Sequence, residues 1–141
     1  MPSAVFEKII PHHIDRVYKA ITDFESYPKF VDSISKIDVL EVTTKSAKLA
    51  CVAHFLKDFR FILKVSKQKP TMVAWKMESG DLFKRNEGLW KLKEISPLKT
   101  MVTYSMDIDF AIPVPGFLVK KFLGPSWDRA IENYLDHYQE A

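Results

Sequence analysis

Hydrophobic positions along this chain follow two rhythms. Between residues 37 and 111 apolar and polar side chains largely alternate, the period of a strand with one buried face. The pattern predicts strands at Ser3 to Ile10, Ile37 to Thr43, Ala47 to Leu56, Phe59 to Lys67, Met72 to Glu78, Phe83 to Ile95 and Thr100 to Ala111. The breaks between the last six are short: Thr44-Lys45, Lys57-Asp58, Lys69-Pro70, Ser79-Gly80-Asp81 and Ser96-Pro97-Leu98. Breaks of that length join antiparallel neighbours, so a meander is expected. Two stretches follow the helical period instead. Ile14, Val17, Tyr18, Ile21 and Phe24 mark a helix led in by Pro11 or His13, with Asp15 favourable in its first turn. Pro28 disfavours helix at Tyr27, and a second short turn is expected from about Tyr27 to Val31. From Val114 to Glu140 the positions Val119, Leu123, Trp127, Ala130, Ile131, Tyr134 and Tyr138 form one apolar stripe. Gly124-Pro125 interrupts it. At about 25 residues that helix would run about 37 Å. The fold class expected is therefore α+β: a curved antiparallel sheet of about seven strands wrapped around a long C-terminal helix, with two short helices after the first strand.

Alternation also assigns faces. Ala47, Leu49, Cys51, Ala53 and Phe55 share one side of their strand; Phe59, Phe61, Leu63 and Val65 share one side of the next. Val73, Trp75 and Met77, then Trp90 and Leu92, then Val102, Tyr104, Met106, Ile108 and Phe110 continue that side. The opposite side carries Lys48, His54, Arg60, Lys64, Lys76, Lys91, Lys93, Asp107 and Asp109. The expected concave face is thus apolar, with large aromatics beside small residues. That suits either a packed core or a pocket for a hydrophobic molecule, and Met77 and Met106 would give it an adaptable wall.

Composition narrows the chemistry. With 141 residues, 47% hydrophobic and 28% charged, the chain reads as one globular domain over residues 1–141. A net charge of +3 and no basic stripe argue against a nucleic-acid partner. Four Gly in no phosphate-loop pattern and one Cys, Cys51, point to neither a nucleotide loop nor a disulfide framework. Absence of a signal-like core near Met1 and of a spanning apolar run suggests a cytoplasmic protein.

Candidate catalytic chemistry is sparse, and no catalytic residue is assigned. His12, His13, His54 and His137 show no metal-ligand spacing, so no metal or other cofactor is expected. His12 and His13 suit capping or solvated positions before the helix. Ser126 lacks a base partner. The inward polar candidates are Tyr104, whose hydroxyl could fix a ligand carbonyl or satisfy a core hydrogen bond, and Asn86 near a mouth. Phe117, Leu118 and Phe122 fall off the apolar stripe beside Lys120 and Lys121, which marks either a buried corner or a greasy portal for transient membrane or protein contact.

The segment from Val17 to Val31, above all Asp23, Tyr27-Pro28 and Phe30, resembles the first-helix signature of the START-like, helix-grip superfamily. Within it the chain is similar to the polyketide cyclase/dehydrase and coenzyme Q-binding group, which includes the bacterial ribosome association toxin. Gly88-Leu89-Trp90 and the run from Val102 to Gly116 carry the same likeness. The resemblance implies a cavity between sheet and last helix for a lipid, isoprenoid quinone or polyketide. Phe61, Leu63, Trp75, Met77, Trp90, Tyr104, Met106, Leu123, Trp127 and Tyr134 are the lining candidates. Binding of a hydrophobic small molecule leads. A polyketide or aromatic cyclase or dehydratase, and a protein-interaction module like the ribosome association toxin, are the rivals.

Overall fold

A computed structural model describes residues 3–29, 34–55, 57–117 and 119. The long helix expected from Val114 onward, with Leu118, Phe122, Leu123, Trp127 and Tyr134, falls outside them except at its first residues.

Seven strands form one antiparallel sheet: β1 (Ser3–Ile10), β2 (Ile34–Val42), β3 (Ser46–Phe55), β4 (Lys57–Gln68), β5 (Met72–Gly80), β6 (Phe83–Ser96) and β7 (Lys99–Phe110). Their spatial order is β1-β7-β6-β5-β4-β3-β2. The last six strands are thus the expected meander, and β1 closes back on β7. Strands β1 and β2, adjacent in sequence, become opposite edges of the sheet. The link between them carries helix α1 (Ile14–Thr22) and a 3-10 helix (Phe24–Lys29).

Helix α1 buries Ile14, Val17, Tyr18 and Ile21, as their spacing predicted, and Ala20 as well. His13 caps it: the backbone N–H of Asp15 donates to His13 Nδ1 at 3.1 Å. Phe24 opens the 3-10 helix rather than extending α1, because Asp23 leaves helical geometry at the C-cap. The second helix therefore starts three residues earlier than expected and contains Pro28. A tertiary bond outweighs the local bias against helix before proline. The Tyr27 hydroxyl donates to the carbonyl of Ile21, one of the unpaired carbonyls at the end of α1.

Bulges adjust which side chains face inward. Between β4 and β5, Phe61 pairs with Gly80 and Ile62 with Ser79, but Leu63 pairs with Met77, which makes Glu78 the extra residue. Lys48 Nζ and Lys64 Nζ reach its carboxylate at 3.1 and 3.3 Å on the outer face, and they hold the Glu78 carboxyl below its usual range. Between β6 and β7, Phe83 pairs with Phe110 and Arg85 with Asp109, so Lys84 is extra. Phe83 and Asn86 consequently both face inward, three positions apart.

The core is the concave side. Leu49, Cys51, Ala53, Phe59, Phe61, Val65, Val73, Trp90, Leu92, Val102, Tyr104, Met106 and Ile108 are buried as alternation predicts. At its centre Tyr104 packs against Phe6 (ring centroids 4.9 Å apart, stacked) and Trp90 (4.6 Å). Trp75 lies over Gly88, its register partner on β6. A Cβ at residue 88 would come within 2.5 Å of the Trp75 ring and 2.3 Å of the Ser105 carbonyl oxygen. Gly88→Ala therefore has to push out both a bulky indole and a neighbouring strand. We expect it to lower stability by about 1–3 kcal/mol, read as a fall in urea midpoint at unchanged slope. A midpoint equal to wild type would contradict the close approach.

Candidate functional site

Curvature of the sheet leaves a cavity of about 70 Å³ on its concave side. Six strands line it. Leu49 and Cys51 come from β3, Phe61, Leu63 and Val65 from β4, Val73 and Trp75 from β5, Phe83, Asn86 and Trp90 from β6, and Met106 from β7. Phe24 and Tyr27 of the 3-10 helix close one end with Ile34 and Ile37 of the edge strand β2. The helical link between the edges thus doubles as a cap on the cavity. A wider depression of about 450 Å³ lies on the outer face, where Glu7, Lys91 and Lys93 are exposed to solvent. It brings together no buried polar group, so the inner cavity is the better site.

Of the predicted lining residues, Phe61, Leu63, Trp75, Trp90 and Met106 meet at the cavity. Two others take different places. Tyr104 is 0% exposed and belongs to the layer behind the wall, enclosed by Phe6, Trp75 and Trp90, with its hydroxyl 3.0 Å from Met106 Sδ. Burial, and then the nearby Tyr27 phenol, push its pKa up. Met77 packs half-buried against the core but does not border the cavity; its sulfur lies beside Gly80. Phe117, a predicted portal residue, is 73% exposed. Leu118, Phe122, Leu123, Trp127 and Tyr134 lie outside the described residues.

Several lining residues escaped the sequence reading. Phe83 lay at the start of a strand whose inward parity, counted back from Trp90, selects Gly88, Asn86 and Lys84; only the bulge brings Phe83 inside. Phe24 and Tyr27 were read as helix positions, and their reach into the cavity depends on the 3-10 turn. The available signal was the Tyr27-Pro28 pair itself, an aromatic fixed beside a chain bend.

Polar chemistry among the described lining residues is limited to neutral groups. Among the described lining residues there is no carboxylate, imidazole, amine or guanidinium. His54 is exposed on the outer face, with Nδ1 3.0 Å from Asp58 Oδ1. Among the described residues no group of histidine, cysteine and acidic side chains could hold a metal ion. Trp75 Nε1 donates to Asn86 Oδ1 at 3.0 Å, and Asn86 is 4% exposed. Burial pushes the Cys51 thiol up to about 12. Burial and the neighbouring Asp23 carboxylate push the Tyr27 phenol up as well. The described lining can surround an apolar molecule and offer it a hydrogen bond; none of its groups is poised to move a proton near neutral pH.

The comparisons with known proteins agree with the architecture. Residues 10–134 match the family model described as polyketide cyclase / dehydrase and lipid transport. No curated protein matches the sequence. Among solved structures, a START superfamily protein from Mycobacterium smegmatis is 20% identical with a TM-score of 0.80, covering 96% of this chain and 97% of its own. A STAR-related lipid transfer protein from Xanthomonas axonopodis is 16% identical with a TM-score of 0.77, over 95% of this chain and 85% of that one. The Zhui aromatase/cyclase from a Streptomyces species is 13% identical with a TM-score of 0.69, over 96% and 85%. At these identities the likeness is one of fold.

The Cys51 thiol gives a pH test of burial. An unfolded thiol ionises near about 8.5, well below the folded value of about 12. The raised folded pKa stabilises the protein fully below the unfolded value, and that contribution is lost as pH rises toward the folded one. Stability should therefore decline between about pH 9 and 12, by about 1–2 kcal/mol from Cys51 at pH 10. The buried Tyr27 and Tyr104 phenols act in the same direction at higher pH. Urea unfolding at pH 8, 9 and 10 should show a smaller decline in Cys51→Ala than in wild type. Identical declines would mean that the folded thiol ionises normally.

Proposed function

The chain belongs to the polyketide cyclase/dehydrase and lipid transport family of the START-like superfamily, and from that premise we propose that it binds a hydrophobic small molecule, such as a lipid or isoprenoid quinone, in its concave cavity. Members of this family bind hydrophobic ligands or cyclise polyketides. The observation that carries the binding reading is the lining itself: six strands converge on a partly open space whose described walls are aromatic and aliphatic apart from Cys51 and Asn86. Burial of apolar ligand surface there is favourable by roughly 25 cal/mol per Å². Cyclisation usually draws on a positioned acid or base, and the described lining supplies none that titrates near neutrality.

About 70 Å³ is smaller than the roughly 300–1,000 Å³ of most small-molecule sites, so the loaded protein is wider than this form. The sheet has a place to give. The ladder between β5 and β6 stops at Lys76 and Glu87, although β5 continues to Gly80 and β6 begins at Phe83. Trp75, Phe83 and Asn86 of the cavity wall flank that open end. Few backbone hydrogen bonds would have to break there for the strands to part.

Native mass spectrometry and organic extraction of the purified protein should reveal a co-purifying apolar molecule. Re-addition to extracted protein at saturating concentration should raise the unfolding temperature by roughly 5–10 °C. Cys51→Leu, which fills part of the cavity, should retain less than a tenth of that molecule while still unfolding cooperatively. Equal loading of wild type and Cys51→Leu would place the ligand elsewhere. Absence of any apolar molecule, with no thermal response to fatty acids or quinones, would rule out the binding reading.

A further inference from the structure

We infer that Asn86 donates a hydrogen bond to an acceptor oxygen of the ligand, so that the cavity selects an apolar molecule carrying a carbonyl or comparable oxygen over a pure hydrocarbon. This rests on the binding role proposed for the cavity and adds the chemical class of what is bound.

The argument begins with a side chain that can only donate. An indole N–H has no lone pair to offer, so the Asn86 atom 3.0 Å from Trp75 Nε1 has to be the amide oxygen. The orientation of the Asn86 amide is thereby fixed by chemistry. Its oxygen is engaged, and its NH2 group retains two donors. Among the described residues, no side-chain or backbone acceptor takes them. Arg85 Nε is the one buried side-chain nitrogen or oxygen without a hydrogen-bond partner among those residues, so the Asn86 nitrogen is not sealed inside protein. Asn86 borders the cavity while its residue as a whole is 4% exposed. An amide donor so placed needs an acceptor, and leaving it unmade is costly.

The amide is also held against rotation. Turning it over would set its NH2 against the indole N–H, two donors facing each other. Trp75 cannot easily follow, since its ring is laid over the bare backbone of Gly88 and against Tyr104. The bracket of Gly88, Trp75 and Asn86 therefore presents one kind of polar group to an otherwise greasy space. A ligand hydroxyl can meet it only through its oxygen, and a ligand with only donor hydrogens meets a like group.

Acetophenone and α-methylstyrene test the point, because they differ chiefly in C=O against C=CH2. Their raw affinities are not the readout, since the ketone loses more on leaving water. The readout is the ratio of the two affinities, compared between wild type and Asn86→Leu. Loss of one neutral hydrogen bond should shift that ratio roughly fivefold toward the hydrocarbon in the variant. In the wild type, the assigned side-chain NH2 signals of Asn86 should move with acetophenone well beyond any change with α-methylstyrene. That measurement decides the matter alone if Asn86→Leu fails to fold. Binding of both compounds with an unchanged ratio and indifferent Asn86 signals overturns the donor role and leaves the cavity a ligand site. Binding of neither compound removes both.

Discussion

Everything on the concave side of this protein depends on the approach of one indole to one stretch of bare backbone. Trp75 and Gly88 are register partners on neighbouring strands, and the ring occupies the volume where a side chain at 88 would begin. The bare backbone at Gly88 leaves room for the indole. From there it reaches Asn86 with its N–H and packs against Tyr104. Tyr104 in turn fills the layer shared by Phe6 and Trp90. A cavity wall, a hydrogen bond and the central aromatic cluster thus share one geometric condition.

A second condition is set by the bulges. Strand alternation is strict, so an inserted residue reverses the facing of everything beyond it. At Glu78 and Lys84 the inserted residues are charged and belong to the solvent side. At Lys84 the insertion keeps Phe83 inward together with Asn86. Two lysines pin the Glu78 carboxylate from outside, where an exposed ion pair contributes modestly. Lys48 and Lys64 lie on β3 and β4, so the pair braces three strands at the point where the ladder to β6 ends.

Most of the strand plan was legible because it rests on local rules. Alternation over Ala47–Ala53 and Val102–Ile108, and breaks too short for a crossover, leave little choice but a meander. The same rules could not bring Phe83 to the cavity, since the bulge at Lys84 is set by the pairing of β6 with β7. They put Tyr104 at the right face but at the wrong depth. A face has a front layer and a back layer, and only packing with Phe6 and Trp90 separates them. The 3-10 turn at Phe24–Lys29 was placed late because its geometry answers to the Tyr27 hydroxyl and the Ile21 carbonyl, a tie that proline bias does not anticipate.

The pairing of the first strand with the last has a temporal side. Ser3 meets Asp107 and Ile10 meets Thr100, so β1 leaves the ribosome long before its partner exists. Its inward residues Phe6 and Ile10 have no sheet to join until about a hundred residues more have been made. Contacts of such separation are slow to form because the intervening loop must close first. Each adjacent hairpin of β2 to β7 can assemble as it is synthesised. The first strand thus has the longest wait among the seven, and the charges of Glu7 and Lys8 disfavour its pairing with another chain in the meantime.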